Sequence, residues 1–233
     1  MLHYFIYSSI LTVVIIICYQ LSVKIQNKTN SILLNPMLLT MAMMIPLLSL
    51  ANVSIDQFHK HSAWLNALLE PAIVALGLPL YQQIQVIKKN IKAIMLILGS
   101  AITVLMIISY LLTTLLIDNS NIAIAISLKS ITVPIGLALS EKLNSIGSLT
   151  AFMITIAGLT GGLIGHQWLN LLHIRSPQAQ GLAIGCASHA IGTTSISRIS
   201  HQHAAFGSLA LVLSAIITAV IAPFLLPFLS QLA

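Results

Sequence analysis

Acid is what this chain most lacks. Asp56, Glu70, Asp118 and Glu141 are its whole acidic complement among 233 residues, and charged residues of both signs make up only 6%. Soluble domains carry roughly 25%. So few charges cannot clothe a water-facing surface, which excludes a soluble globular protein. Cysteine is almost as scarce. Cys18 and Cys186 stand far apart in apolar surroundings, which excludes a disulfide framework and leaves no zinc ligand set. No GxxxxGKS or GxxxxGKT, HExxH, CxxC or GxSxG occurs, so the usual marks of an ATP-driven pump or a hydrolase are missing. The expectation is a protein that is not an enzyme and uses no cofactor or metal.

What the chain does have is apolar length. Hydrophobic residues are 58% of it, and mean hydropathy is +1.00. Eight segments stand out, at 4–21, 32–50, 62–82, 92–117, 121–139, 147–172, 178–196 and 205–229. Most approach or exceed the ~18 apolar residues that cross a bilayer as a helix. The separators KIQNKTNS, DQFHKH, QVIKKNIK, LIDNSN, SEKLNS and HIRSPQ are too short to be domains. The fold class expected is all-α: one polytopic transmembrane bundle over residues 1–233, multi-pass, with the lipid bilayer as its solvent. The first segment lacks a basic leader and a small-residue cleavage site, and reads as a retained span.

The formal charge of +6 points to orientation, not to nucleic acid. With eight crossings and an outside N-terminus, Lys24, Lys28, Lys88, Lys89, Lys92, Lys142 and Arg198 fall inside, against Lys60 and Arg175 outside.

Two segments are built differently. The third carries Glu70-Pro71, then Gly77 and Pro79; proline lacks the N–H and disfavours helix in the residue before it. The seventh, GLAIGCASHAIGTTSISR, concentrates glycine, serine and threonine. Both are expected to break, with the breaks facing protein or a water-filled cavity, since unpaired backbone cannot face lipid. Pro71 and His189 are 118 positions apart, which suggests two four-segment repeats with broken third members, parallel if all eight segments cross.

The ionisable residues deepest in these spans are Glu70, Lys129 and His189. Intramembrane charges are costly and mark functional sites by default. Glu70 reads as a proton-coupling group or a determinant of substrate passage, or as a structural plug. Lys129, with Ser130, Thr132 and Pro134 close by, reads as a cation for an anionic substrate or a partner for Glu70. His189 sits among Ser188, Gly192, Thr193, Thr194 and Ser195, offering a group that titrates near neutral pH beside hydroxyl donors. Substrate binding is assigned to Lys129, Ser130, Thr132, Ser188, His189, Gly192 and Thr193, and proton coupling to Glu70 and His189. Asn35-Pro36 reads as a helix start. The glycines of AGLTGGLIG, 158–165, read as a close-packing face.

NPMLLTMAMMIPLL, LLEPAIVALGLPLYQQ, SLKSITVPIGLAL and above all SHAIGT resemble the LrgB/CidB (YohK-like) family of bacterial membrane proteins, in order along nearly the whole chain. Arg198 departs from the acidic residue usual near that position. The resemblance implies a bacterial inner-membrane location and a small LrgA/CidA-type membrane protein as partner; self-association into a homo-oligomer is the other assembly considered. It also implies two functions. One is transport of a small monocarboxylate anion such as pyruvate, lactate, glycolate or glycerate. The other is antiholin-like modulation of murein hydrolase activity and autolysis. The buried acid, the mid-span lysine and the hydroxyl-rich histidine segment fit the first.

Overall fold

A computed structural model describes residues 2–29, 34, 36–68, 71, 77–82 and 84–232. Every regular element among them is helical. The chain divides into two compact units, residues 1–75 and 76–233.

The first unit holds α1 (Leu2–Thr29), α2 (Pro36–Leu50) and α3 (Ile55–Ala67). Short hydroxyl side chains tie these apolar helices together. Ser8 donates to the His61 carbonyl at 2.6 Å, Trp64 Nε1 donates to Thr12 at 3.2 Å, and Thr40 donates to Ser22 at 3.2 Å. The DQFHKH separator is helical, inside α3. A capping box explains it: Ser54 N–H donates to Gln57 Oε1 at 3.0 Å and Gln57 N–H to Ser54 Oγ at 3.2 Å. Glu70, and with it the expected break of the third segment, lies outside the described residues, as does Asn35.

The second unit runs α4 (Gly77–Gln82), α5 (Ile84–Ile117), α6 (Ser120–Ser127), α7 (Val133–Lys142), α8 (Gly147–Thr160), a π turn (Gly161–Gly165), α9 (His166–Leu171), α10 (Pro177–Ser197) and α11 (His201–Leu232). α5 starts earlier than the sequence suggested and absorbs QVIKKNIK, since lysine, glutamine and isoleucine continue a helix at little cost. With α1, the helices α5, α8 through α9, and α11 are long and apolar enough to cross a membrane. Asn52, Asp118, Asn144 and His173 end helices or their connections with positive φ, in residue types enriched in that region.

The fifth segment is broken, which the sequence reading did not anticipate. α6 stops at Ser127, residues 128–132 are irregular, and α7 starts after Thr132 with Pro134 in its first turn. The chain then doubles back. Ser145 Oγ donates to the Asn121 carbonyl at 2.8 Å, although a straight helix over those 24 positions would part them by roughly 36 Å.

The seventh segment also doubles back. Ser188 (φ −128°, ψ 15°) and His189 (φ 40°, ψ −137°) interrupt α10. A Cβ added at Gly192 would lie 2.8 Å from Ile184 Cγ2 and 3.3 Å from the Ile184 carbonyl oxygen. In a straight helix those residues are about 12 Å apart along the axis. One Cβ on Gly207 would be 3.7 Å from both the Gly181 oxygen and Ile196 Cγ2, so the two arms of α10 flank the same residue of α11.

The two hairpins enter from opposite faces. Asn121 and Ser145 mark the first face, where α8 starts. The base of α10 lies at the other end of the α8–α9 helix, where Gln180 Nε2 donates to Asn170 Oδ1 at 2.8 Å and to the Ile174 carbonyl at 2.7 Å. Buried His203 closes that base, with Nε2 2.8 Å from Gln180 Oε1 and Nδ1 2.8 Å from Ser200 Oγ. Segments five and seven therefore re-enter instead of crossing, and their relation is inverted. Hydropathy registers length and not direction, so the assumption of eight full crossings does not hold in this unit. Lys88, Lys89, Lys92, Arg175 and Arg198 gather at the second face, and Lys142 lies at the first with Asp118 and Glu141.

Candidate functional site

The tip of α10 is a strained backbone held by side chains. A histidine at φ 40° and ψ −137° occupies a region that non-glycine residues avoid, at about 1–3 kcal/mol. Three bonds fix it. His189 Nε2 lies 2.8 Å from the Ile154 carbonyl oxygen of α8. Thr193 Oγ1 donates to the His189 carbonyl at 2.7 Å, and Ser195 Oγ donates to the Gly162 carbonyl at 2.9 Å. Ser188, His189 and Thr193 are all buried. A carbonyl only accepts, so Nε2 carries the hydrogen and Nδ1 is left as the basic nitrogen of the ring.

α8 and its π turn are shaped to receive this tip. A Cβ on Gly158 would meet His189 Cε1 at 2.7 Å and Nε2 at 2.8 Å, and one on Gly161 would collide with Ser188 Oγ. The AGLTGGLIG glycines are a close-packing face, as read from the sequence, and their main load is the turned tip of α10. π turns occur often beside functional sites.

The other tip, residues 128–132, carries Lys129, Ser130 and Thr132, all half-buried. Lys129 Nζ donates to Ser109 Oγ of α5. The Thr132 carbonyl accepts from Gly136 N–H at 2.9 Å, which opens α7. Val133 and Ile135 supply the N–H groups of its first turn, Pro134 having none, and the positive end of its dipole adjoins the 128–132 tip in sequence.

Ile154 is the neighbour the two hairpins share. Its carbonyl takes His189, and its Cδ1 fills the space beside Gly136 in the second turn of α7. The structure thus joins Ser188, His189, Gly192 and Thr193 at one tip, and Lys129, Ser130 and Thr132 at the other. It gives Lys129 and His189 different partners, α5 and α8. Thr194 is exposed and bonds its own helix, to the Ala190 and Ile191 carbonyls. Ser109, Ile154, Gly158 and Gly161 were not among the sequence candidates. The glycine spacing signalled the last two; nothing marks a serine in SYLLTT or a backbone carbonyl in α8.

Comparison with known proteins gives a consistent family. The model of the LrgB-like family matches residues 15–228. The "Holin-like protein CidB" of Staphylococcus epidermidis is 33% identical over 207 residues, 87% of this chain and 89% of that protein. An "Uncharacterized protein" of Haemophilus influenzae is 32% identical over 200 residues, 86% of this chain and 87% of that one. The "Uncharacterized protein YxaC" of Bacillus subtilis is 30% identical over 211 residues, covering 89% and 90%. No solved structure matches.

Proposed function

This chain belongs to the LrgB-like family of membrane proteins, and from that premise we propose that it passes a small solute through the bilayer where its two opposed hairpins meet. The observation that carries this is the pair of fold-backs converging on Ile154 from opposite faces. Broken helices whose half-helix ends lie near the midplane are how many secondary transporters build a solute site. Backbone strain of the kind held at His189 clusters at functional sites.

The finer reading is a small monocarboxylate anion, such as pyruvate, lactate, glycolate or glycerate. Among the described residues Lys129 has a hydroxyl as its partner and no carboxylate. A half-buried ammonium at that depth is costly until an anion joins it. The start of α7 adds N–H donors, and His189 Nδ1 offers a proton acceptor for electroneutral symport. The second face is cytoplasmic on this reading, since five basic residues against one lie there. That moves Arg175 inside and Lys142 outside. The location proposed is the bacterial cytoplasmic membrane, with an LrgA/CidA-type partner and no enzymatic activity.

A second reading, holin-like or antiholin-like modulation of murein hydrolase activity, is favoured by the relatives. One of the three named above is called holin-like, and none of those names mentions a solute. The names weigh more for this reading than for monocarboxylate transport; the hairpins weigh for passage.

Uptake of radiolabelled pyruvate, lactate and glycolate into vesicles, with and without the small partner, separates the two. Passage is expected to be saturable, and strongly reduced by Lys129→Gln and His189→Ala at equal protein in the membrane. No uptake under any condition, together with lysis rates in cells that both variants leave unchanged, would leave the holin-like reading alone.

A further inference from the structure

The two hairpins are secured very differently. α10 is bonded at its tip to Ile154, along its second arm through Ser195 to Gly162, and at its base through Gln180 to Asn170, Ile174 and His203. Its arms pack on each other and on α11, with Gly181 and Gly185 so close to α11 that a Cβ at either would meet backbone. That close backbone packing opposes displacement of α10 against α11.

The hairpin of α6 and α7 is held mainly by apolar packing, Gly136 lying close against Ile154 Cδ1, and by few hydrogen bonds. Its arms pack on neighbours instead of on each other, α6 against α5 and α8, and α7 against α8 and α11. One exposed bond, Ser145 to Asn121, closes its base. Thr150 to Ser140 at 3.2 Å ties α7 to α8 well away from the tip. Leu128 and Ile131 of the tip are buried in the apolar core, and its one side-chain hydrogen bond to another element among the described residues is Lys129 on Ser109. The hydroxyl of Ser109 is a neutral acceptor, so an entering anion would outcompete it for the ammonium.

We infer that the α6–α7 hairpin is the moving gate, that α10 is the fixed one, and that Ser109 is the positioning residue that latches the moving tip through Lys129. The inference rests on the passage reading for its purpose but not for its measurement. Opening exposes the site toward the first face, the side of Asn121 and Ser145. Binding of an anion at Lys129 releases the latch, so solute and opening are coupled through one ammonium group.

The first test uses the unaltered protein in nanodiscs. Hydrogen–deuterium exchange is expected to be at least about tenfold faster for the amides of 128–133 than for those of 186–191, because less secured segments open more often. Equal rates, or the reverse order, overturn the assignment of gates. The second test uses Cys18→Ser, Cys186→Ser protein with a single reporter, Thr132→Cys or Ala190→Cys, and a membrane-impermeant maleimide applied from each side. Ser109→Ala is expected to speed labelling of position 132 several-fold from the first face and to leave position 190 unchanged. Unchanged labelling at 132, or equal acceleration at both reporters, removes the latch. Faster labelling at 132 in a protein that moves no carboxylate would keep the gate and remove the proposed solute.

Discussion

Replacing Gly158 by alanine isolates the fit between α8 and the tip of α10. The added methyl would stand 2.7 Å from His189 Cε1 and 2.8 Å from both Nε2 and Ile191 Cδ1. Contacts that short force a neighbour to move. The ring cannot move freely, because Nε2 is bonded to the Ile154 carbonyl at 2.8 Å. Overpacking alone costs about 1–3 kcal/mol. Swinging the ring out also loses a buried hydrogen bond and leaves polar groups unpaired, for roughly another 1–3 kcal/mol. The sum expected is about 2–6 kcal/mol. Gly162→Ala is the matched control in the adjoining π turn, where the nearest atom would be Ile191 Cγ2 at 3.5 Å, an ordinary contact. There alanine is expected to be neutral, or stabilising by up to about 1 kcal/mol through helix propensity. Cys18 and Cys186 are free and buried, so a thiol-reactive fluorophore reports unfolding on heating in detergent. Gly158→Ala should lower the midpoint by roughly 4–24 °C for a chain of this size, and Gly162→Ala should not. If the two variants melt together, the ring does not sit against Gly158 and the described tip is wrong.

At position 189 the usual helix order should invert: His189→Gly is expected to be more stable than His189→Ala by about 1 kcal/mol, because only glycine takes φ 40° and ψ −137° without strain. The same melting assay decides it, and alanine melting higher would mean a continuous helix. Asn121→Cys with Ser145→Cys, in a background lacking the native cysteines, is expected to cross-link on mild oxidation and to shift mobility after cleavage between the two positions. A crossing fifth segment could not give that product. Single cysteines at Lys88 and Arg175 should label from one side of the membrane and one at Lys142 from the other; labelling of positions 175 and 142 from the same side would contradict opposed hairpins.

The helical class and most helix positions were legible in the sequence, because lipid demands long apolar runs and the separators punctuate them. The seventh break was legible through Gly185, Gly192 and the small and polar residues around them. The fifth was missed although its signal was present. Thr132-Val133-Pro134 is a residue in extended conformation followed by proline in the first helical turn, the same logic that read Asn35-Pro36 as a helix start. The surrounding AISLKSITVPIGLAL was apolar enough to hide it. The direction of the chain after each break was not legible. It is set by contacts between residues far apart in sequence, Ser145 with Asn121 and Gly207 with both arms of α10, which no local pattern carries. Lys129, Ser130, Thr132, Ser188 and His189 were picked out individually, but their division between two tips follows only from those contacts.

The fold-back of α10 also constrains how the protein is made. A re-entrant pair of short arms has no stable resting place in lipid by itself, since its turned backbone would lie unpaired in hydrocarbon. Its tip needs the Ile154 carbonyl of α8, which the ribosome has already delivered, but its arms need Gly207 and Ala210 of α11, which it has not. Residues 177–197 must therefore wait, at the translocon or at the membrane surface, until α11 emerges, so the element richest in candidate site residues is among the last to be seated. A chain stalled or truncated before α11 would insert its earlier helices and still lack a finished interior.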